Sequence, residues 1–306
     1  MARAIGLRVY QLKVTKRYQA VALPLDDTAL TVGFGDFLSS FVAKNQTSNQ
    51  HLQMERSWYF EPKPDKSLTG SRGLVRYGTF GFESALVDRK TKTTNYKRKV
   101  SDSEEIPLFY EIWMPSGADY ALAAFQSFAG KSCISIVLQR LAEAFSKANS
   151  DHLVRIRKLV PTGSSGGAYA SAPVKGLTLI RHDAPKSLTK KYLRDTPPGP
   201  IDFEVSIRAQ RSGALGKLRD VSRKIRPDDK GVIVHEGVQF DEAVARIRVG
   251  SRTRPVKVLG VSTDAGIIDI TDDVSFGADG HPTFASIKRE AEDILKDFKV
   301  HLDNEK

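Results

Sequence analysis

The densest chemistry in this sequence is cationic. The run Arg89-Lys90-Thr91-Lys92-Thr93-Thr94-Asn95-Tyr96-Lys97-Arg98-Lys99 holds six basic residues in eleven and no acid. Ammonium and guanidinium groups at this density can hold phosphate oxygens. The interleaved Thr and Asn donate hydrogen bonds to the same oxygens, and Tyr96 offers a ring for stacking. The contact set expected here is Arg89, Lys90, Lys92, Tyr96, Lys97, Arg98 and Lys99, on a loop or hairpin arm. Two later clusters have the same character. Arg208, Arg211, Lys217, Arg223 and Lys224 flank or occupy a predicted helix whose apolar residues Leu215, Leu218, Val221 and Ile225 take the other face. Arg246, Arg248, Arg252 and Arg254 fall in a predicted hairpin without an acid among them. Arg246 and Arg248 stand two apart on a strand and so share a face, with Ala245, Ile247 and Val249 on the other. Such a face needs either counter-charges, for which the acid-rich C-terminal segment is the obvious source, or an anionic ligand.

Catalytic patterns are weaker. Gly130-Lys131-Ser132 opens a helix after a strand as a phosphate-binding loop does, but the first glycine of that pattern is replaced by Phe125. A capping Ser beside a surface Lys accounts for it better. Asp65, Asp88 and Lys90 match the bare pattern of a Mg²⁺-dependent nuclease, in which two carboxylates hold the metal and the lysine polarises the attacking water. This is the enzymatic alternative. The six histidines have no metal-ligand spacing, and Cys133 lies in an apolar helix as a core residue would. Ser164 and Ser165 sit in a Gly-rich stretch but not in a nucleophile elbow. The acids from Asp264 onward do not have the spacing of a calcium loop. No catalytic residue, metal ligand or cofactor is assigned.

The whole chain of 306 residues carries a net charge of +11. Residues 264–306 hold eleven acids against five bases, so the remainder is more basic still. A surplus of that size implies an anionic partner. Nucleic acid leads, an anionic membrane is second, and an acidic protein partner is the non-enzymatic alternative. No zinc-finger spacing or helix-turn-helix reads bases, so the expected ligand is DNA, double-stranded and bound without sequence preference. The lone Cys133 excludes a disulfide framework. No apolar run has the length of a signal peptide or a membrane span, so a cytoplasmic protein without membrane insertion is expected.

These residues need a frame. With 40% hydrophobic residues the chain can bury a core. Strands are predicted at 3–12, 57–61, 73–88, 106–114, 120–128, 153–160, 175–181, 201–209, 231–235, 243–249, 254–261 and 266–270. Helices are predicted at 28–43, at 133–147 behind a Ser132 cap, and at 212–225 up to Pro227. The clearest helix is the last, with Phe284, Ile287, Ala291, Ile294, Leu295, Phe298 and Leu302 in one stripe. Hairpin-like succession predicts an α+β fold of mainly antiparallel sheets, a few packed helices and a long C-terminal helix. TGSSGGAYASAP, residues 162–173, divides an N-terminal domain (1–161) from a C-terminal one (174–306) as a flexible linker or loop.

The order of these features resembles the RexA exclusion proteins of lambda-like phages. The resemblance runs through FLSSFVAKN and HLQMERSWYF (37–45 and 51–60) and the hairpin IPLFYEIWMPSGADYALAAFQSF (106–128). It continues through DFEVSIRAQRSGALGKLRDVSRKI (202–225) and EDILKDFKVHL (292–302). The Gly-Ser-Ala stretch departs from it. A more remote likeness is to the RdgC recombination-associated DNA-binding proteins. The resemblance implies a homodimeric, largely sequence-independent DNA-binding sensor of antiviral exclusion (abortive infection) that signals to a separate effector. It supplies no catalytic residue.

Overall fold

The computed structural model describes residues 4–160, 169–185, 188, 190, 199, 201–210, 213–225, 233–235, 238–249, 252–259 and 267–303. The fold is α+β, with antiparallel sheets and a long C-terminal helix. The chain forms two compact units. One comprises Met1–Ile5, Tyr10–Arg157 and Asp273–Glu292, and the other Gly6–Val9, Lys158–Asp272 and Asp293–Lys306. The unit changes after Arg157. The return of residues 273–292 to the first unit was not expected.

In chain order the first unit is built from β1 (Ile5–Lys16, of which Gly6–Val9 belong to the second unit), β2 (Ala22–Leu23), α1 (Phe34–Lys44), β3 (Asn49–His51), β4 (Arg56–Pro62) and β5 (Gly70–Thr79). It continues with β6 (Ser84–Val87), β7 (Thr94–Arg98), β8 (Glu104–Trp113), β9 (Ala121–Phe128), α2 (Ile134–Ala148) and β10 (His152–Leu159). Its main sheet runs β1-β9-β8-β5-β4-β3, with β2 and β10 also paired to β1. Every side chain of β9 is buried, on both faces, which its alanines permit. On one face Trp58 and Phe60 meet Phe41 of α1, and Val75, Leu108 and Tyr110 lie on that same face. Phe60 and Tyr110 have ring centroids 4.8 Å apart, and Phe37 of α1 meets Phe145 of α2 edge-on at 5.0 Å. Such pairs add to simple area burial. On the other face Phe109 packs 5.6 Å from Phe284.

The α2 helix starts one residue later than its sequence suggests, with Cys133 rather than Ser132 as its N-cap. The Ser132 hydroxyl accepts the Ile134 N–H at 3.3 Å, and Cys133 beside it is fully buried. Burial pushes its thiol up to about 12, so it is a core residue rather than a nucleophile. The strand expected over 73–88 is two strands. Gly81 takes φ +96° at the break, and β6 pairs with β7 in a two-stranded sheet of its own.

The second unit contains β11 (Val174–Arg181), β12 (Phe203–Arg208), α3 (Leu218–Lys224), β13 (Ile233–His235), β14 (Val238–Phe240), β15 (Glu242–Val249), β16 (Arg252–Leu259) and β17 (Ile268–Asp269). Its sheet runs β12-β11-β15-β16-β17, and β17 pairs with Gly6 and Leu7. Leu179, Phe240 and Ala243 centre a core joined by Leu177, Phe203, Val205 and Val258. The helix expected from residue 212 starts only at Leu218. Gly216 takes φ +133°, and residues 215–216 exchange backbone hydrogen bonds with Val174 instead. Of the expected linker, residues 162–168 lie outside the described residues. Tyr169 is buried, packs 5.7 Å from Phe298 and donates its hydroxyl to Asp297 at 3.1 Å. An aromatic anchor ties this end of the low-complexity stretch down.

The last helix, α4 (Phe284–Asp303), passes from the first unit to the second at Glu292. Ile287, Ala291, Ile294, Leu295, Phe298 and Leu302 are all buried within this one chain. Among the described residues no helix is long and apolar enough to cross a membrane.

Candidate nucleic-acid interface

The basic run forms an arm. Asp88 caps its turn: Oδ1 accepts the backbone N–H groups of Lys90 and Thr91 at 2.8 and 2.7 Å and the Thr91 hydroxyl at 3.0 Å. These bonds hold the Asp88 carboxyl below its usual range. Lys92 completes the turn with φ +61°. Thr94–Arg98 then returns as β7, pairing Leu86 with Tyr96 and Ala85 with Lys97. Arg89, Lys90, Lys92, Tyr96, Lys97 and Lys99 are exposed. The Tyr96 hydroxyl donates to Asp102, whose carboxylate also accepts the Lys99 N–H at 2.8 Å. That pairing raises the Tyr96 pKa and lowers that of Asp102.

Arg98 leaves the expected contact set because it is buried. Its guanidinium donates to the Thr79 carbonyl and, at 3.2 Å, to the Asp102 carbonyl, and it lies 4.2 Å from the Phe82 ring centre. It anchors the root of the arm.

The second surface is one face of the sheet in the other unit. Gly176 of β11 pairs with Arg208 on one side and Arg246 on the other. A Cβ on Gly176 would stand 3.8 Å from a side-chain carbon of each arginine, so all three positions share a face. Two strand spacings separate the arginines, roughly 10 Å. Arg248 lies two residues along from Arg246 on the same face, and all three arginines are exposed. On the opposite face of β15, Ala243, Ala245 and Ile247 are fully buried. Lys217 is also exposed, and its backbone bridges to Pro173, whose carbonyl accepts the Arg248 N–H. Arg208, Arg246, Arg248 and Lys217 thus gather at one end of this sheet. Among the described residues neither Arg208 nor Arg246 makes an ion pair. Further along the face the charge is neutralised, by Lys257 with Glu242 at 3.0 Å.

The remaining expected contacts divide. Arg223 and Lys224 are exposed in the last turn of α3, with Arg223 held 2.7 Å from Asp220. Arg254 pairs across from Ile247 on the core face and is buried, with its charge acting on Tyr169 and Asp297. The charge of Asp297, in the acid-rich C-terminal segment, is felt by this buried arginine, and its burial removes Arg254 from the contact set. Arg211 lies outside the described residues, as does the side chain of Arg252.

The nuclease pattern finds its carboxylates engaged elsewhere. Asp88 serves the turn. Asp65 meets Arg72 at 2.7 Å and Lys288 at 2.8 Å, and its Oδ1 accepts the Ser67 hydroxyl and N–H. The Lys288 bond, with those from Ser67, holds Asp65 far below its usual range. Arg72, itself buried, also pairs with Glu111 at 2.9 Å and Glu292 at 2.7 Å. Burial pushes the Glu111 carboxyl up despite that pairing. Among the described residues no group of three His, Cys, Asp or Glu side chains could hold a metal.

The sequence reading missed Gly176, which leaves the gap between two arginines, and Phe82, which rests on Arg98. Phe82 could have been found as an apolar residue stranded at a glycine break. No family model matches the chain, and no curated protein matches it.

Proposed function

We propose that this chain is a sequence-independent DNA-binding protein of the cytoplasm. Its affinity comes from the exposed cations of the β6–β7 arm and of the open face at Arg208, Arg246 and Arg248. The observation that carries this reading is the pair Arg208 and Arg246, exposed on one face across Gly176 without a carboxylate partner among the described residues. Arginines held on a rigid sheet are ready phosphate ligands, and nothing in either surface reads base edges. The resemblance to RexA-type exclusion proteins extends the proposal to a sensor in antiphage defence, acting as a homodimer upstream of a separate effector.

The test is binding of a labelled random-sequence duplex across salt concentrations, with Mg²⁺ present and the DNA length checked afterwards. Binding that weakens with a log–log slope of about −0.9 per phosphate held, on intact DNA, is expected. No binding at low salt overturns the reading in favour of an acidic protein partner. Shortened DNA overturns it in favour of the nuclease.

A further inference from the structure

The β6–β7 arm carries groups that holding phosphates does not require. Phe82, Leu86, Val87, Tyr96 and Val100 are all exposed. Thirteen large apolar side chains are exposed among the described residues, and five of them fall within 82–100. They are therefore concentrated on this one short segment, beside Arg89, Lys90, Lys92, Lys97 and Lys99. Their arrangement has a side. Leu86 and Tyr96 stand opposite one another across the ribbon. Arg98 is two residues from Tyr96 and so shares its face, and Phe82 lies against Arg98. Lys97, opposite Ala85, takes the other face. The result is a two-stranded ribbon with Tyr96, Leu86 and Phe82 on one side and cations at the turn. Neither ring is loose. The Tyr96 hydroxyl is bonded to Asp102, and the Phe82 ring rests on the Arg98 guanidinium.

Three occupants fit an exposed apolar face with a cationic turn at one end. A lipid surface is entered by a hairpin's tip, but this tip, residues 88–93, is polar throughout, and the apolar pair sits behind it. A second copy would bring like charges together around the interface. Unstacked nucleobases need a fixed aromatic ring beside groups that hold the strand's phosphates, and that is what this face offers.

We infer that the Tyr96 face of the β6–β7 arm stacks unpaired nucleobases, with Arg89, Lys90 and Lys92 on the phosphates of the same strand. Single-stranded segments are then its preferred ligand. This rests on the nucleic-acid reading and sharpens it.

The test uses the full chain with a labelled oligo-dT and a random-sequence duplex of equal length, by fluorescence anisotropy over a salt series. Tyr96→Ala is expected to weaken oligo-dT binding by about tenfold while leaving its salt slope unchanged. Duplex binding is expected to stay within about twofold, and Tyr96→Phe, which keeps the ring, to retain oligo-dT binding. Lys90→Ala with Lys92→Ala is expected to make the oligo-dT slope shallower by about 0.7 for each phosphate no longer held. Equal weakening of both ligands by Tyr96→Ala, or of neither, overturns the inference while duplex binding by the wild type leaves the broader reading standing. Failure of the wild type on both ligands at low salt removes both. A halved solution mass for Tyr96→Ala in light scattering overturns the inference in favour of a second copy. Loss of binding to phosphatidylserine vesicles without loss of oligo-dT binding overturns it in favour of lipid. A thermal unfolding midpoint equal to the wild type's confirms that the exposed ring is not needed for folding.

Discussion

Arg72 and Arg246 both stand in the middle of strands, and they lead opposite lives. Arg72, on β5, faces the side of its sheet that Phe284 and Lys288 cover, and it is surrounded by Asp65, Glu111 and Glu292. Arg246, on β15, faces a side where no described residue neutralises it. Arg98 and Arg254 belong with Arg72, each buried and engaged by groups of its own unit. Arg208 belongs with Arg246. Basic composition alone treats these five alike. The pleat and the layer above it decide which are structural and which can reach a ligand, because burying a guanidinium without partners costs several kcal/mol.

That contrast can be broken most forcefully at Arg72. Arg72→Ala strands the buried Glu111 carboxylate and is expected to cost about 3–5 kcal/mol in urea unfolding. A cost under about 1 kcal/mol would mean that Glu111 does not depend on the pair. Arg98→Ala removes the donors to the Thr79 and Asp102 carbonyls at the arm's root. It is expected to cost about 1–3 kcal/mol by the same measurement.

Two of the three carboxylates on Arg72, Asp65 and Glu111, give a finer test, because their shifts oppose each other. Asp65 is held below its unfolded pKa of about 3.9, so its stabilisation is complete above that pH and is lost as pH falls through the lowered value. Glu111 is raised above its unfolded pKa of about 4.3, so the fold loses stability as pH rises from there through the raised value. Urea midpoints over a pH series should show Asp65→Asn flattening the limb below about pH 4 and Glu111→Gln flattening the decline just above it. Identical profiles for both variants would contradict the assignment. The smallest effect on stability belongs to the open face, where Arg208→Ala with Arg246→Ala should shift the unfolding free energy by no more than about 0.5 kcal/mol.

Part of this division is legible in the sequence. The two-residue period puts Arg246 and Arg248 on one face and Ala245 and Ile247 on the other, and the structure agrees. The stripe of the last helix and the β8–β9 hairpin are plain from periodicity. Strand pairing is not written in local pattern, so the meeting of Arg208, Gly176 and Arg246 could not be foreseen. Arg98 misleads for a related reason. It sits in the most basic run of the chain, but its partners Thr79, Phe82 and Asp102 come from both sides of that run. Arg254 shares the two-residue period of Arg252, yet only its pairing with Ile247 reveals that it faces the core.

The most direct test of DNA binding at the open face is the salt dependence of duplex binding for the wild type beside the triple variant Arg208→Ala, Arg246→Ala, Arg248→Ala, with unfolding midpoints checked in parallel. The expected variant is equally stable and binds more weakly, with a slope shallower by about 0.9 for each phosphate no longer held. An equally stable variant with unchanged affinity and slope would contradict the assignment of this face to DNA.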